Sequence, residues 1–505
     1  MRAMTAAQEA PFRWYQHWPK IGTDAEFAAL RSLLVDANYT EPNILSKLDI
    51  ASLSSYSMPP QGGRAIHDSF DALIALFYDC GFVEEARLRA TLPPGSIQLF
   101  DSLSLITREH APAGSVYSTA AIQPAYAAWT LCDRGAAPDG SRIPYPMDVV
   151  YPPVFETTRQ FMAEQPQTPC EAHLDLGTGT GIAAILGARN AKHVWATDIT
   201  ERAVVFAEFN RRLNQVENLT TATGDLFAPV AGQTFDRITI HPPYVPSKVK
   251  QSDYVFAISG DDGEQIIRRT IEELPGYLRP GGRFHSLQVA TDREGESFEQ
   301  RIRKWLGDTQ GEYDVMLAVH SLRTPAEYLA SSEERLRVEA SVWLDLWERT
   351  NTRAMVYAAL LIERHAQPHP AITRRAKAGH GYDSSHLAWL LDFLKALYRP
   401  GHIEMLLSAR PVGRPENELV ILQRLRDGAF RDEEFRLEIP GPFALSLRCE
   451  DWLRKVIPVC NGQRTWAEIF DYAKKNEIIR EDLAIEEFAK GLGVLVSLGA
   501  FKLPE

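Results

Sequence analysis

In the run HLDLGTGTGIAAILGA, residues 173–188, the glycines Gly177, Gly179 and Gly181 stand at every second position between an apolar strand pattern and a helical one. Glycine lets the backbone pass close to a ligand, and the exposed amides at a helix N-terminus favour an anionic group. An acid, Asp175, precedes the turn. The next strand pattern, HVWATD, ends in Asp198, about twenty residues beyond the glycines, where a carboxylate can accept hydrogen bonds from both hydroxyls of a ribose. The pattern after it ends in GDLF and places Asp225 where it could accept from an adenine amino group. Each acid alone could be a solvated strand-end carboxylate. Acids at the tips of successive strands point instead to a nucleotide-like cofactor.

A fourth apolar run, FDRITI, leads into HPPYVPS. His241 stands at the junction, followed by Pro242, Pro243 and Tyr244. A neutral imidazole has one acceptor and one donor, so it can receive a single N–H bond. It can instead take a proton from a hydroxyl, thiol or ring nitrogen, since its unperturbed pKa lies near operating pH. A third reading is a site that has lost catalysis and only binds cofactor. The prolines fix φ and remove a donor that would compete. Tyr244 is either a stacking platform for a planar target or a core-packing ring.

These residues must be positioned by an ordered set of elements. From about 146 to 368, short apolar strands alternate with helices, the mark of a doubly wound α/β sheet with a crevice at the carboxyl ends of its strands. Before it, residues 24–36 and 69–78 and the run VEEARLRATL show helical spacing. The runs SIQLFDSLSLITRE and SVYSTAAIQPAYAAWTL then alternate like strands around HAPAG. Helices followed by strands predict a winged-helix-like N-terminal domain over 1–145. Such folds bind DNA, protein or nothing. Residues 365–385, rich in Pro, Gly and basic side chains, read as a linker, with RRAK at 374–377 as a solvated charge run. The region 369–505 reads as this linker followed by a small α+β domain, with strands at ELVILQRL and EFRLEIP and several helices.

With these motifs in place, the sequence resembles the class I S-adenosylmethionine-dependent methyltransferases: DLGTGTG matches their first motif and HPPY their fourth. The resemblance spans 146–368 and includes SGDDGEQ and the LRPGGRF turn. Within that class it is closest to the branch holding protein-glutamine and ribosomal-RNA guanine N-methyltransferases, whose fourth motif usually reads Asn-Pro-Pro-Tyr. The resemblance implies a Rossmann-like sheet and S-adenosyl-L-methionine as cofactor. It implies a glycine turn made by Asp175, Gly177, Thr178, Gly179 and Gly181, a ribose site at Asp198 and Ile199, and an adenine site at Asp225 and Leu226. His241, Pro242 and Tyr244 then fall in the catalytic slot, with histidine where the family pattern has asparagine. In that pattern the asparagine oxygen and the following carbonyl accept the target's N–H groups. Related enzymes also cover the cofactor with a helix before the first strand, so Glu156, Thr157 and Thr158 could contact the methionine end, or could simply form an N-cap and first turn.

A nicotinamide dehydrogenase is disfavoured. A dinucleotide site wants G-x-G-x-x-G, whereas G-T-G-T-G suits a methionine tail folded against the loop, and Pro-Pro-Tyr has no role in hydride transfer. The chain of 505 residues predicts two to four domains. With 54 basic and 66 acidic side chains, its formal charge of −12 disfavours tight unspecific binding to nucleic acid. Five scattered cysteines suggest neither a zinc site nor a disulfide framework, and His320, His365, His369, His380 and His386 form no recognisable metal spacing. The N-terminus lacks an apolar h-region and no run of about twenty apolar residues occurs, which predicts a cytoplasmic chain.

Three functions compete at this point. The first is N-methylation of a protein, peptide or small-molecule acceptor, with the flanking domains recognising it. The second is methylation of an rRNA or tRNA base, with the N-terminal domain as a grip. The third is a catalytically weak cofactor-binding regulator.

Overall fold

Four parallel strands organise the first of two structural units in the computed structural model: β1 (Cys170–Leu176), β2 (Ala191–Asp198), β3 (Leu219–Thr223) and β4 (Phe235–Ile240). The described residues are 14–55, 63–141, 145–246, 254–331 and 340–502. The first unit comprises 1–279 with 285–287, and the second 280–284 with 288–505. Strand β5 (Leu278–Arg293) contributes to both. In the first unit the strand order is β5-β4-β1-β2-β3.

The chain leaves β1 in one direction through β2 and β3 and then jumps to the other side of β1 as β4. That reversal opens a crevice at the carboxyl ends of β1 and β4. The register makes those ends level: Leu176 lies opposite both Thr197 and Ile240, and Asp198 opposite Thr223. Helices Ile182–Gly187 and Glu201–Leu213 make the crossovers.

The N-terminal region packs into this same unit. Helix Asp24–Asp36 begins with a capping box between Thr23 and Glu26, and buries Phe27, Leu30, Leu33 and Leu34, all on one helical stripe. Those side chains share a core with Ala203, Phe206, Phe209 and Leu213 of helix Glu201–Leu213. Phe27 meets Phe209 edge-on with ring centroids 4.9 Å apart. Burying a side chain of this size contributes roughly 1.5–3 kcal/mol. The hairpin Ala121–Ala125 / Ala128–Cys132 is clamped to the same helix by two asparagines. Asn210 accepts from the Leu131 amide and donates to its carbonyl, and Asn214 does the same for Trp129.

Two local expectations are corrected. SIQLFDS is a helix, Ser96–Ser102, rather than a strand. Gly95 starts it from the left-handed region at φ 90°, and Ile97 and Phe100, three apart, bury the same face. The stretch expected as a linker contains strand β8 (Thr373–Lys377), which pairs parallel with β6 (Tyr313–Arg323) in the second unit. RRAK is therefore not a solvated run: Arg375 reaches Asp292 at 2.6 and 2.8 Å and Glu299 at 2.5 Å. A short charged edge strand lacks the apolar alternation that would mark it.

In the second unit, β7 (Thr352–Arg364) runs antiparallel to β6, and the order is β8-β6-β7-β5. The central sheet is thus mixed. Beyond it, strands Glu418–Arg426, Ala429–Ile439 and Leu445–Cys449 form a separate sheet. Helices Ser384–Ala396, Trp466–Lys475 and Ile485–Ser497 contribute to a core around Trp466, Phe470, Phe488 and Leu492. Among the described residues, no helix is long and apolar enough to cross a membrane.

Candidate active site

Asp175 sits at the carboxyl end of β1, 2% exposed. Its two oxygens accept from Thr178 Oγ1 at 2.7 Å and Thr239 Oγ1 at 2.8 Å. Burial pushes its carboxyl up to about 6, against the pull of both hydroxyls. Thr239, on β4, also meets His173 Nε2 at 2.9 Å. Its single proton goes to Asp175, so His173 donates from Nε2. Burial pushes His173 down to about 3 and keeps it neutral. This buried chain of Thr178, Asp175, Thr239 and His173 ties the glycine turn to the strand that leads into His241. Sequence reading found Asp175 and Thr178 but missed Thr239 and His173. Their only signal is polarity at inward positions of otherwise apolar strands.

Gly177, Gly179 and Gly181 all lie in the left-handed region, at φ 63°, 54° and 79°. A Cβ on Gly177 or Gly179 would enter open space, while one on Gly181 would meet the Ala207 Cβ at 3.1 Å. The first two thus leave room above the turn, and the third lets two helices approach. The Gly179 amide donates to Asp198 Oδ2 at 3.0 Å, and Thr200 donates its amide and hydroxyl to Asp198 Oδ1 at 2.9 and 3.0 Å. Burial pushes the Asp198 carboxyl up, and these bonds oppose the shift. A carboxylate offers about four lone-pair sites, and with three taken one remains, on Oδ2, for a ribose hydroxyl. Ile199, beside it, is 56% exposed and offers an apolar face to a flat ring.

Asp225 follows β3 and is exposed. Arg269 grips it with Nη2 at 2.7 Å and Nη1 at 3.3 Å. Leu226 has φ 45°, a strained value for leucine that turns the chain back from the strand tip. Asp175, Gly177, Thr178, Gly179, Asp198, Ile199, Asp225 and Leu226 therefore all gather at the carboxyl ends of β1, β2 and β3. Gly181 begins the helix behind them.

His241 follows β4 directly. Its imidazole stacks on Phe161, centroids 5.0 Å apart and planes at 23°. Burial pushes it down to about 4 and leaves it neutral near pH 7. Phe161 belongs to helix Glu156–Ala163, whose first turn holds Glu156, Thr157 and Thr158, the residues read from the sequence either as contacts to the methionine end or as an ordinary N-cap and first turn. The ring that faces the motif is instead Phe161, missed because an apolar residue in the second turn looks like ordinary core. Pro242 is buried and Tyr244 half-buried. The segment after the motif is held by 254–263. Val245 donates to the Ala257 carbonyl at 2.7 Å, and Ser259 donates back to the Val245 carbonyl at 2.8 Å. A Cβ on Gly263 would lie 2.5 Å from the Tyr244 carbonyl oxygen, so glycine is required where that carbonyl passes.

Beside the motif runs an aromatic strip that sequence reading also missed. Tyr151 stacks on Phe155 at 4.5 Å and on Phe256 at 4.8 Å, and Tyr254 stacks on Phe256 at 5.7 Å. Tyr151 and Phe256 remain 40% and 42% exposed, an apolar surface flanking both the helix of Phe161 and the segment that braces Tyr244.

Comparison with known proteins gives this geometry a family. Residues 155–295 match the family model of the methyltransferase small domain. A protein of Methanocaldococcus jannaschii, provisionally named a protein N5-glutamine methyltransferase, is 39% identical over 132 residues, covering 25% of this chain and 66% of that protein. The release factor glutamine methyltransferase of Gloeobacter violaceus is 36% identical over 121 residues, covering 22% and 42%. The ribosomal protein uL3 glutamine methyltransferase of Bradyrhizobium diazoefficiens is 32% identical over 159 residues, covering 29% and 50%. The chain thus spans 42% to 66% of the length of these relatives. Within this chain, residues 155–295 form a class I S-adenosylmethionine-dependent methyltransferase domain.

Proposed function

We propose that the protein transfers a methyl group to a planar nitrogen of a protein acceptor, with a side-chain amide of the glutamine kind as the leading candidate. The single observation that carries this reading is a neutral His241 at the tip of β4, set in a Pro-Pro-Tyr frame and stacked on Phe161. S-adenosylmethionine, when bound, supplies an electrophilic methyl group on a sulfonium. The residues present suit it: open space above Gly177 and Gly179, spare acceptor capacity on Asp198, and the exposed face of Ile199.

In-line transfer asks the protein mainly for alignment and exclusion of water. A planar amide nitrogen is a weak nucleophile whose lone pair is delocalised, so its N–H groups must be held by acceptors. His241 offers one ring nitrogen for this, and the backbone carbonyl that follows it offers a second acceptor. Tyr244 then stacks on the amide plane. With a pKa of about 4, His241 is too weakly basic to deprotonate a neutral amide before transfer, which favours orientation over general-base chemistry. As the C–N bond forms and the C–S bond breaks, the strongly acidic N-methylated amide gives its N–H proton to solvent. The names of the three relatives, all glutamine methyltransferases, support the same acceptor class. The aromatic strip of Tyr151, Phe155 and Phe256 supports a peptide chain at the mouth. We assign the flanking regions, the winged-helix-like 1–145 and the α+β 369–505, to acceptor recognition.

The test is a cell extract incubated with the protein and isotopically labelled S-adenosylmethionine, then fractionated into protein, RNA and small molecules. Label is expected in protein, on glutamine after peptide mapping. Label confined to RNA or to small molecules would overturn the reading.

A further inference from the structure

We propose that Asp314, His365 and His369 form a divalent transition-metal site of the zinc type, at the start of β6 and in the loop leaving β7. The three lie within one unit, and one ligand atom from each falls within 4.8 Å of the others. Nothing in the spacing of His365 and His369 announces it, because the carboxylate comes from another strand.

The hydrogen bonds leave a charge-sized gap. His369 Nδ1 lies 3.0 Å from the Pro370 carbonyl oxygen, which can only accept, so Nδ1 carries a proton. In the neutral ring, Nε2 then bears a lone pair. That lone pair faces Asp314 Oδ2 at 3.3 Å, and Oδ2 is buried with no hydrogen-bond partner. Two acceptors held face to face repel unless a cation lies between them. The other oxygen, Oδ1, is served by the Ile372 amide at 2.8 Å and by His365 Nε2 at 3.0 Å. A proton on His369 Nε2 would also close the gap, as an ion pair with Asp314, so proton and metal compete for one position. The nearby Arg303 spends its N–H groups on the carbonyls of Gln310, Tyr313 and Ile372 and on Thr373 Oγ1.

Geometry and donor set agree on the metal. Bonds of about 2.0–2.1 Å arranged tetrahedrally give ligand–ligand edges of about 3.3 Å; His369 Nε2 lies 3.3 Å from Oδ2, and His365 Nε2 lies 3.0 Å from Oδ1, the other oxygen of the same carboxylate. Two imidazoles and one carboxylate favour zinc over calcium or magnesium, which prefer all-oxygen shells. The Nδ1–H bond from His369 to a backbone carbonyl is the outer-shell contact that orients a ligating imidazole. Solvent reaches the cluster at His369, whose side chain is 18% exposed, and supplies a fourth ligand.

The experiment uses the full chain stripped with chelator and titrated with zinc chloride against a competing indicator. One tight zinc per chain is expected, with affinity falling at least about tenfold in His369→Gln and in Asp314→Asn. Zinc should also raise the melting temperature of the natural protein but not of His369→Gln. Equal zinc affinity in the natural protein and a folded His369→Gln overturns the proposal. Should the variants not fold, cobalt(II) added to the natural protein decides: intense four-coordinate visible bands support the site, and their absence overturns it.

Discussion

The imidazole of His241 lies nearly parallel to the ring of Phe161, centroids 5.0 Å apart, so a side chain from the helix before β1 fixes the plane of the residue after β4. The stack leaves the ring's edge nitrogens to meet a substrate, and the burial that accompanies it keeps the ring neutral. His241→Ala should lower kcat by about ten- to a hundredfold, the worth of one orienting hydrogen bond in a desolvated site. His241→Asn should retain most of the activity, since its amide oxygen can accept the same N–H. Turnover assays on the labelled acceptor measure both, and wild-type activity in His241→Ala would remove His241 from the mechanism.

The same residue gives a pH signature. With its folded pKa near 4, His241 stays neutral from about pH 5 upward and adds no bend to kcat between pH 5.5 and 8; a bend near 6 that persists in His241→Asn belongs to the Asp175 carboxyl. A general base of ordinary histidine pKa would make kcat fall below about pH 6.5. A pH–rate profile showing that fall in the natural protein, and its loss in His241→Asn, would reinstate the base reading.

Gly263 supports the motif from outside. Its φ of 79° and the 2.5 Å gap to the Tyr244 carbonyl leave no room for a methyl group. Gly263→Ala should displace the carbonyl side of the Pro-Pro-Tyr frame and cut kcat by roughly tenfold or more, as misplacement of positioning groups does. Affinity for S-adenosylhomocysteine, measured by calorimetry, should hardly change, because Asp198 and the glycine turn lie on β1 and β2. Equal losses in both would mean that the substitution acts through general unfolding.

What the sequence disclosed follows from which interactions are local. Gly177, Gly179, Asp198 and His241 were legible because each is fixed by its position at the end of an apolar strand, a pattern that repeats along the chain. Phe161, Thr239 and the Asp314–His365–His369 cluster were not, because each matters through a partner far away in sequence. Thr239 reads as a β-branched strand residue until β4 is set beside β1 and its hydroxyl meets Asp175. The helix Ser96–Ser102 and strand Thr373–Lys377 were misread for a related reason: each is short, and its period is decided by what it packs on.

Asp198 should control cofactor affinity. Its two oxygens already accept from Gly179 and Thr200. Asp198→Asn replaces one of them with a donor that faces an N–H group, and also removes an acceptor for a ribose hydroxyl. S-adenosylhomocysteine affinity should fall by about ten- to a hundredfold, the cost of losing one or two charge-assisted hydrogen bonds. Unchanged calorimetric affinity would show that the ribose is held elsewhere.

Asp175 and His241 should pull acid stability in opposite directions. Asp175 has a folded pKa of about 6 against 3.8 in the unfolded chain, so the native state binds more protons between those values. Its contribution is fully present below 3.8 and is lost as pH rises through 6, an order of about 3 kcal/mol at roughly 1.4 kcal/mol per pKa unit. His241 has a folded pKa of about 4 against 6.5, so its contribution is complete above 6.5 and is lost as pH falls towards 4. Asp175→Asn removes the first term, and its stability relative to the natural protein should improve as pH rises from 4 to 6 and then stay level. His241→Asn removes the second, and its relative stability should improve as pH falls over 6.5 to 4. Denaturant melts of both variants at half-unit pH steps test the pair, and a stability difference independent of pH in either would mean that the carboxyl or imidazole concerned is not desolvated in the native state.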